Sequence, residues 1–146
     1  MKKSNCDVRV SLHLNLVEGS PLALESKVNM LVNKVGEFRY SFISLWLKYI
    51  LSSKNKKNEI RDQIRIEIEH QIEKYSEYCM GSSPLRLDSH MHLHMIPFIF
   101  DIIIKLSEHY RINFIRIPYE LKYFNIRKLY NFLSENFIKN CLLNYL

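Results

Sequence analysis

Hydrophobic and polar residues alternate strictly in the first well-patterned segment of the chain, residues 8–16. Aliphatic residues occupy every second position from Val8 to Leu16, and the positions between them are polar and include His13. Strict alternation over this length is typical of a β-strand with one buried face. The pattern therefore predicts a first strand over 8–16, closed by a turn at 18–21 that contains Gly19 and Pro21.

Several later segments carry apolar residues at helical spacing. The most regular runs from Glu59 to about Cys79, where apolar residues recur every three or four positions. Residues 52–58, rich in lysine, are predicted as a polar connection before it. The other predicted helices cover 26–35 (capped by Ser26 and ended by Gly36), 38–51, 98–110 (with Pro97 in its first turn) and 126–146.

Three histidines follow one aspartate at every second residue of the segment Leu87–Met95. If the segment is an extended strand, Asp88, His90, His92 and His94 share one face. Imidazole and carboxylate are common metal ligands, so a metal site is the first hypothesis. The alternative is a polar sheet face whose histidines are satisfied by hydrogen bonds.

Strands predicted at 8–16, 87–95 and 112–117 are separated by helices. This order favours an α/β fold with a parallel sheet in a single domain over 1–146. Sites in such folds gather at the carboxyl ends of the strands. His13 and His90 are therefore predicted to meet at that edge.

Composition narrows the function classes. The chain has 146 residues, is 47% hydrophobic and 25% charged, and carries a formal net charge of +6. The basic residues are spread along the chain without an aromatic-interleaved signature or a cysteine-histidine finger, so no nucleic-acid partner is predicted. Apolar runs are too short for a membrane span, and three widely separated cysteines suit a reducing compartment. We expect a cytoplasmic protein with no membrane partner.

Two motifs also carry a family resemblance. His13-Leu14-Asn15-Leu16, followed by Glu18-Gly19 and Pro21-Leu22, is similar to the pattern GLHLNLTEGxPL, and the segment Asp88–Pro97 is similar to DSHxHxHxxP. In both motifs the sequence resembles the YdjC-like carbohydrate deacetylases, also called the ChbG/HpnK family. The helix around Gln71 and the strand end at 115–120 are similar too, so the resemblance covers about 8–120.

The resemblance implies a distorted, barrel-like α/β fold and a divalent-metal hydrolase that removes acetyl groups from N-acetylated amino sugars, of the chitooligosaccharide or glycolipid type. It implies that His13 and His90 are metal ligands, with magnesium or zinc as the cofactor. His92 and His94 are expected to line the same pocket in acid-base or substrate roles. The resemblance further implies that Asp88, Asn15 and Arg116 contact the substrate or orient the ligands.

The chain also departs from the family pattern. Family members begin with a strand that carries paired aspartates, which supply the remaining metal ligand and the general base, and no such segment precedes Val8. Family chains also continue past the final predicted helix. We therefore expect an incomplete fold, missing units at both ends, that binds metal weakly and hydrolyses slowly or not at all. Its exposed sheet edge would allow oligomers to form.

Two alternatives to an active deacetylase stay open at this point. One is an inactive remnant or non-catalytic binding module that keeps the sheet and the histidines. The other is a protein that binds nucleic acid or a membrane surface, for which net charge is the only support.

Overall fold

A three-stranded sheet forms the centre of the molecule. The computed structural model describes residues 10–79 and 84–117, and every structural statement below concerns these ranges. The strands are β1 (Leu12–Leu14), β2 (Leu85–Ser89) and β3 (Ile112–Ile115), in the order β1-β2-β3. Both pairings are parallel, which confirms the predicted α/β class with a parallel sheet. Residues 1–9 and the predicted helix at 126–146 lie outside the described ranges.

Three α-helices accompany the sheet: α1 (Phe42–Ile50), α2 (Lys54–Tyr78) and α3 (Pro97–Tyr110). All three were predicted, α3 with Pro97 in its first turn. The predicted connection at 52–58 is wrong, because α2 already begins at Lys54. Lysine loses little side-chain freedom in a helix, so a lysine-rich segment can extend one as easily as it forms a loop. No helix in the two described ranges combines the length and hydropathy needed to cross a membrane.

The predicted short helix at 26–35 is also wrong. This segment contains a single 3-10 turn, Glu25–Lys27, followed by further turns and an isolated antiparallel bridge between Val32 and Phe38. The Met30 N–H donates to the side-chain oxygen of Gln63 on α2 instead of to a helical carbonyl. Contacts with α2 thus override the local preference for a helix.

The first strand is shorter than predicted, although its alternation is confirmed. Leu12 and Leu14 are buried and His13 between them is exposed. The strand ends at Leu14 because the next side chain closes a turn. The Asn15 side-chain oxygen accepts the N–H groups of Val17 and Glu18, at 3.1 and 3.2 Å, and its amide donates to the Glu18 carbonyl at 2.6 Å.

The prediction of one extended strand through all three histidines is wrong. β2 ends at Ser89, and His90–Met95 form a tight turn of 3-10 type, here called the histidine turn. Met91 and His92 adopt left-handed backbone conformations, with φ of 51° and 57°. The turn lets the chain reverse within seven residues into α3, and this reversal destroys the alternation on which the shared histidine face depended.

Aliphatic side chains from every layer join in one core. On α2 four isoleucines spaced by four residues face inward, each at most 1% exposed: Ile60, Ile64, Ile68 and Ile72. They meet buried residues of the sheet and of α1 and α3, such as Leu87, Phe42 and Ile103. This core fixes the strands side by side, so that their carboxyl ends converge at one edge.

Candidate active site

His13 and Asp88 lie side by side across the β1–β2 pairing. The two residues are in register, so their side chains emerge from the same face of the sheet. The His13 Nδ1 atom is 3.7 Å from the Asp88 Oδ2 atom. This places a carboxylate against one ring nitrogen of His13 and leaves Nε2 directed elsewhere. A carboxylate behind an imidazole is the usual way of orienting a metal-binding histidine.

Arg116, which directly follows β3, completes the carboxylate's surroundings. Its guanidinium donates to Asp88 Oδ2 at 3.2 Å, although the arginine side chain is 64% exposed. Burial alone would raise the pKa of Asp88. The Ser89 N–H that it accepts and the charges of Arg116 and His13 outweigh burial and hold the pKa below its ordinary value of 3.8. Asp88 is therefore ionised at neutral pH.

The histidine turn carries His90 towards His13. The centroids of the two imidazole rings are 5.7 Å apart, in an edge-to-face arrangement. His90 Nε2 is also 3.4 Å from Oε1 of Glu18, which the Asn15 turn presents from the β1 side. The structure thus brings the two predicted metal ligands together, and it does so through a turn instead of a shared strand face.

His94 lies in a different environment from His90. It is fully buried, its Nε2 is 2.8 Å from the Arg116 carbonyl, and its Nδ1 is 2.5 Å from the Ser89 hydroxyl. A carbonyl only accepts, so Nε2 carries the proton and Nδ1 accepts from Ser89. Burial lowers the pKa of His94, whereas its hydrogen bond to Arg116 and the charge of Asp88 raise it. Burial has the larger effect, so the pKa lies below 6.5. His94 is a neutral imidazole with both nitrogens engaged.

Ser89 closes this network at the end of β2. Besides its contact with the His94 ring, its hydroxyl accepts the His94 backbone N–H at 3.0 Å. The hydroxyl thus holds both ends of the histidine turn together. His92, half-buried within the turn, lies with its ring centroid 6.3 Å from that of His94.

Side chains of metal-binding type lie close together at this edge of the sheet. Two imidazoles approach each other, and each has a carboxylate beside it, but no group of three or more histidine, cysteine, aspartate or glutamate side chains in ranges 10–79 and 84–117 is arranged to hold a metal ion. Catalytic zinc sites have three protein ligands. His13 and His90 alone are therefore too few to form such a site, although their residue type suits one.

Comparison with known proteins decides the family. The sequence profile of the family described as "YdjC-like protein" matches residues 1–143 of the chain. The chain belongs to the YdjC-like protein family. This confirms the resemblance of the two histidine motifs, and it agrees with the parallel α/β sheet as part of that family's fold.

Relatives of this YdjC-like chain are named carbohydrate deacetylases. One from Clostridium beijerinckii is 31% identical over 137 residues, which cover 92% of this chain and 50% of the relative. One from Xenopus laevis is 30% identical over 118 residues, which cover 79% of this chain and 35% of the relative. One from Danio rerio is 28% identical over 111 residues. The YdjC-like chain thus spans half or less of the length of the relatives it matches.

Sequence reasoning missed three polar residues around this site. The sequence patterns predict no site role for Ser89 or Glu67, and Glu18 enters only as part of a motif. Glu67 is fully buried and accepts the N–H groups of Leu22 and Ala23. The sequence did offer one signal for Glu67: Gln63, Glu67 and Gln71 repeat every four residues, beside the row of isoleucines from Ile60 to Ile72.

Proposed function

We propose that this chain carries part of the metal and substrate site of a carbohydrate deacetylase, which hydrolyses the acetamide of N-acetylated amino sugars. The observation that supports this most directly is the 5.7 Å approach of the His13 and His90 rings, which come from two separate elements at the carboxyl edge of the sheet. Membership of the YdjC-like family and relatives named carbohydrate deacetylases support the substrate class.

His13 and His90 would hold the divalent metal. Imidazole suits zinc better than magnesium, so zinc is the better match for these two residues, while magnesium would depend more on oxygen donors. When bound, such a cation activates water and polarises a carbonyl oxygen. Because the described residues supply two imidazoles and no cluster of three donors, we expect the isolated chain to bind the metal weakly.

The remaining predicted residues have distinct proposed roles. Asp88 fixes the ring of His13 from its Nδ1 side, and the charge of Arg116 helps to lower the pKa of Asp88. His94 holds the histidine turn through its two ring nitrogens, which favours a positioning role over proton transfer. Asn15 shapes the turn that presents Glu18. For His92 the proposal stays that it lines the pocket beside His94 and His90.

Acetate release tests the proposal. The purified chain is incubated with N-acetylglucosamine oligomers and Zn²⁺ or Mg²⁺, and acetate is measured enzymatically. We expect slow release that falls to background in His13→Ala and His90→Ala. His109→Ala is the matched control, since His109 is an exposed histidine at the end of α3. Release at equal rates in all four proteins would contradict the assignment of the two ligands.

A non-catalytic sugar-binding remnant is the second candidate. It is favoured by one observation, the lack of a three-donor cluster in the described part of the chain. It predicts binding of the oligomers without acetate release, with binding that survives removal of His90. A cytoplasmic location and oligomers formed through an exposed sheet edge stay predictions. Size-exclusion chromatography with light scattering would test the second.

A further inference from the structure

Helix α2 carries a row of buried polar side chains beside its isoleucine row. The three members, here called the polar row, are Gln63, Glu67 and Gln71, at 7%, 0% and 9% exposure. Their spacing of four residues places them on one side of the helix, over about 12 Å of its length. Buried polar groups are costly unless they are hydrogen-bonded, so the row must have partners.

Those partners belong to the loop between β1 and α1. Gln71 accepts the Asn15 N–H at 2.9 Å and donates to the Asn15 carbonyl at 2.6 Å. Glu67 accepts the N–H groups of Leu22 and Ala23 at 3.0 and 2.9 Å. At the far end Gln63 accepts the Met30 N–H at 2.8 Å and donates to the Asn29 side chain at 2.9 Å.

The order of these contacts matches the order of the chain. Moving from Gln71 through Glu67 to Gln63, the row contacts positions 15, then 22–23, then 29–30. Gln71 also donates to Glu67 at 2.8 Å, which couples two members of the row. The row therefore fixes the course of a loop that has little regular secondary structure of its own.

The fixed loop segment adjoins one candidate ligand, His13, and contacts the other, His90, through Glu18. His13 lies two residues before Asn15, which Gln71 binds through both of its backbone groups. Glu18 lies between Asn15 and Leu22, and its carboxylate is 3.4 Å from His90. Displacing the loop would thus move the surroundings of both imidazoles, although Glu67 and Gln71 themselves are hydrogen-bonded to the loop and to each other.

We propose that Glu67 and Gln71 are positioning residues of the candidate active site, which act through the β1–α1 loop to set the placement of His13 and of Glu18 against His90. The value of this placement for metal binding rests on the proposed function. The placement itself does not, because it concerns the arrangement of the two imidazoles in the metal-free chain.

Nuclear magnetic resonance of the full chain tests the proposal. Leu22 and Ala23 donate to different oxygens of Glu67, and in Glu67→Gln one of these oxygens becomes an NH2 group that cannot accept. Hydrogen-exchange protection at Leu22 or Ala23 should therefore fall at least tenfold, and the imidazole signals of His90 should shift at constant pH. In Gln71→Met, a substitution of similar size, protection at Asn15 should fall and the imidazole signals of His13 should shift. Gln71→Met carries the test if Glu67→Gln fails to fold.

Two controls separate positioning from general destabilisation. Ile68→Val weakens the same helix at a fully buried position that makes no loop hydrogen bond, and Glu77→Gln removes an exposed carboxylate from it. Both should leave the imidazole signals in place. Loss of loop protection without any imidazole shift in either row variant would overturn the proposal, and so would equal shifts in Ile68→Val.

Zinc titration separates this proposal from the function on which it rests. We expect Glu67→Gln and Gln71→Met each to weaken Zn²⁺ binding about tenfold relative to wild type, with Ile68→Val unchanged. If the wild-type chain binds no Zn²⁺ but the row variants still show the imidazole shifts, the proposed function is contradicted and the positioning role is supported. Full Zn²⁺ affinity in both row variants would contradict the positioning role and leave the function intact.

Discussion

Replacing Ser89 with alanine should destabilise the protein far more than the loss of one hydroxyl suggests. The Ser89 side chain is 2% exposed, and its oxygen serves two groups of His94, the backbone N–H at 3.0 Å and Nδ1 at 2.5 Å. His94 is itself fully buried, so water does not readily replace the hydroxyl. Ser89→Ala therefore leaves a buried donor and a buried acceptor without this partner.

The magnitude follows from these two groups. A buried polar group that loses its partner costs about 1–3 kcal/mol, so the loss of two partners should lower the free energy of unfolding by about 2–6 kcal/mol. Single domains are stable by only about 5–15 kcal/mol, so this is a large fraction of the total. The same hydroxyl holds the left-handed histidine turn closed, and we expect the His90 imidazole signals to shift as well.

Urea denaturation followed by circular dichroism measures the effect. Ser107→Ala is the matched control, since the Ser107 hydroxyl donates to the Ile104 carbonyl within α3 at the surface. The control should change the free energy of unfolding by less than about 0.5 kcal/mol. A Ser89→Ala variant within that same margin would refute the argument that the Ser89–His94 network holds the turn.

Three further predictions concern charge and backbone conformation around the site. Because burial holds the pKa of His94 below 6.5, the unfolded chain binds a proton that the folded chain does not, so stability should fall as the pH drops below 6.5. In the wild type the free energy of unfolding should change by up to about 1.4 kcal/mol per pH unit, and by less in His94→Asn. Equal slopes in the two proteins would contradict this prediction. Arg116→Gln should raise the pKa of Asp88, measured by following its carboxyl carbon signal against pH by nuclear magnetic resonance. The free energy of unfolding should fall by less than about 1 kcal/mol, because the Arg116 side chain is exposed. An unchanged midpoint would count against the ion pair. Met91 has a φ of 51°, a conformation that asparagine tolerates and β-branched valine does not. The free energy of unfolding, measured in urea, should therefore be about 1 kcal/mol lower for Met91→Val than for Met91→Asn. The reverse order would contradict the left-handed conformation at Met91.

Periodicity predicted the elements whose structure depends on a repeating buried face. The isoleucine row of α2 and the alternation of Leu12, His13 and Leu14 are both confirmed, because burial against one core sets both patterns. Family motifs predicted which two histidines to pair. That His13 and His90 approach each other is consistent with this, and their role as ligands stays a prediction.

Turns and buried polar contacts were the parts that sequence pattern could not supply. The alternation of His90, His92 and His94 favoured a strand, but Met91 and His92 adopt left-handed conformations, which are uncommon for residues other than glycine. The turns at 25–38 are stabilised by side chains of α2 that are distant in sequence, such as Gln63 with Met30. Such long-range hydrogen bonds leave no periodicity within the loop itself.

A zinc titration of a double-mutant cycle tests the central claim, that His13 and His90 serve one metal ion. Wild type, His13→Ala, His90→Ala and the double variant are titrated by calorimetry, with His109→Ala as the control. If the two imidazoles share one ion, each single variant should lose at least about tenfold in affinity, roughly 1.4 kcal/mol, and the double variant should lose little more than either. Losses that simply add, or wild-type affinity in either single variant, would contradict the claim.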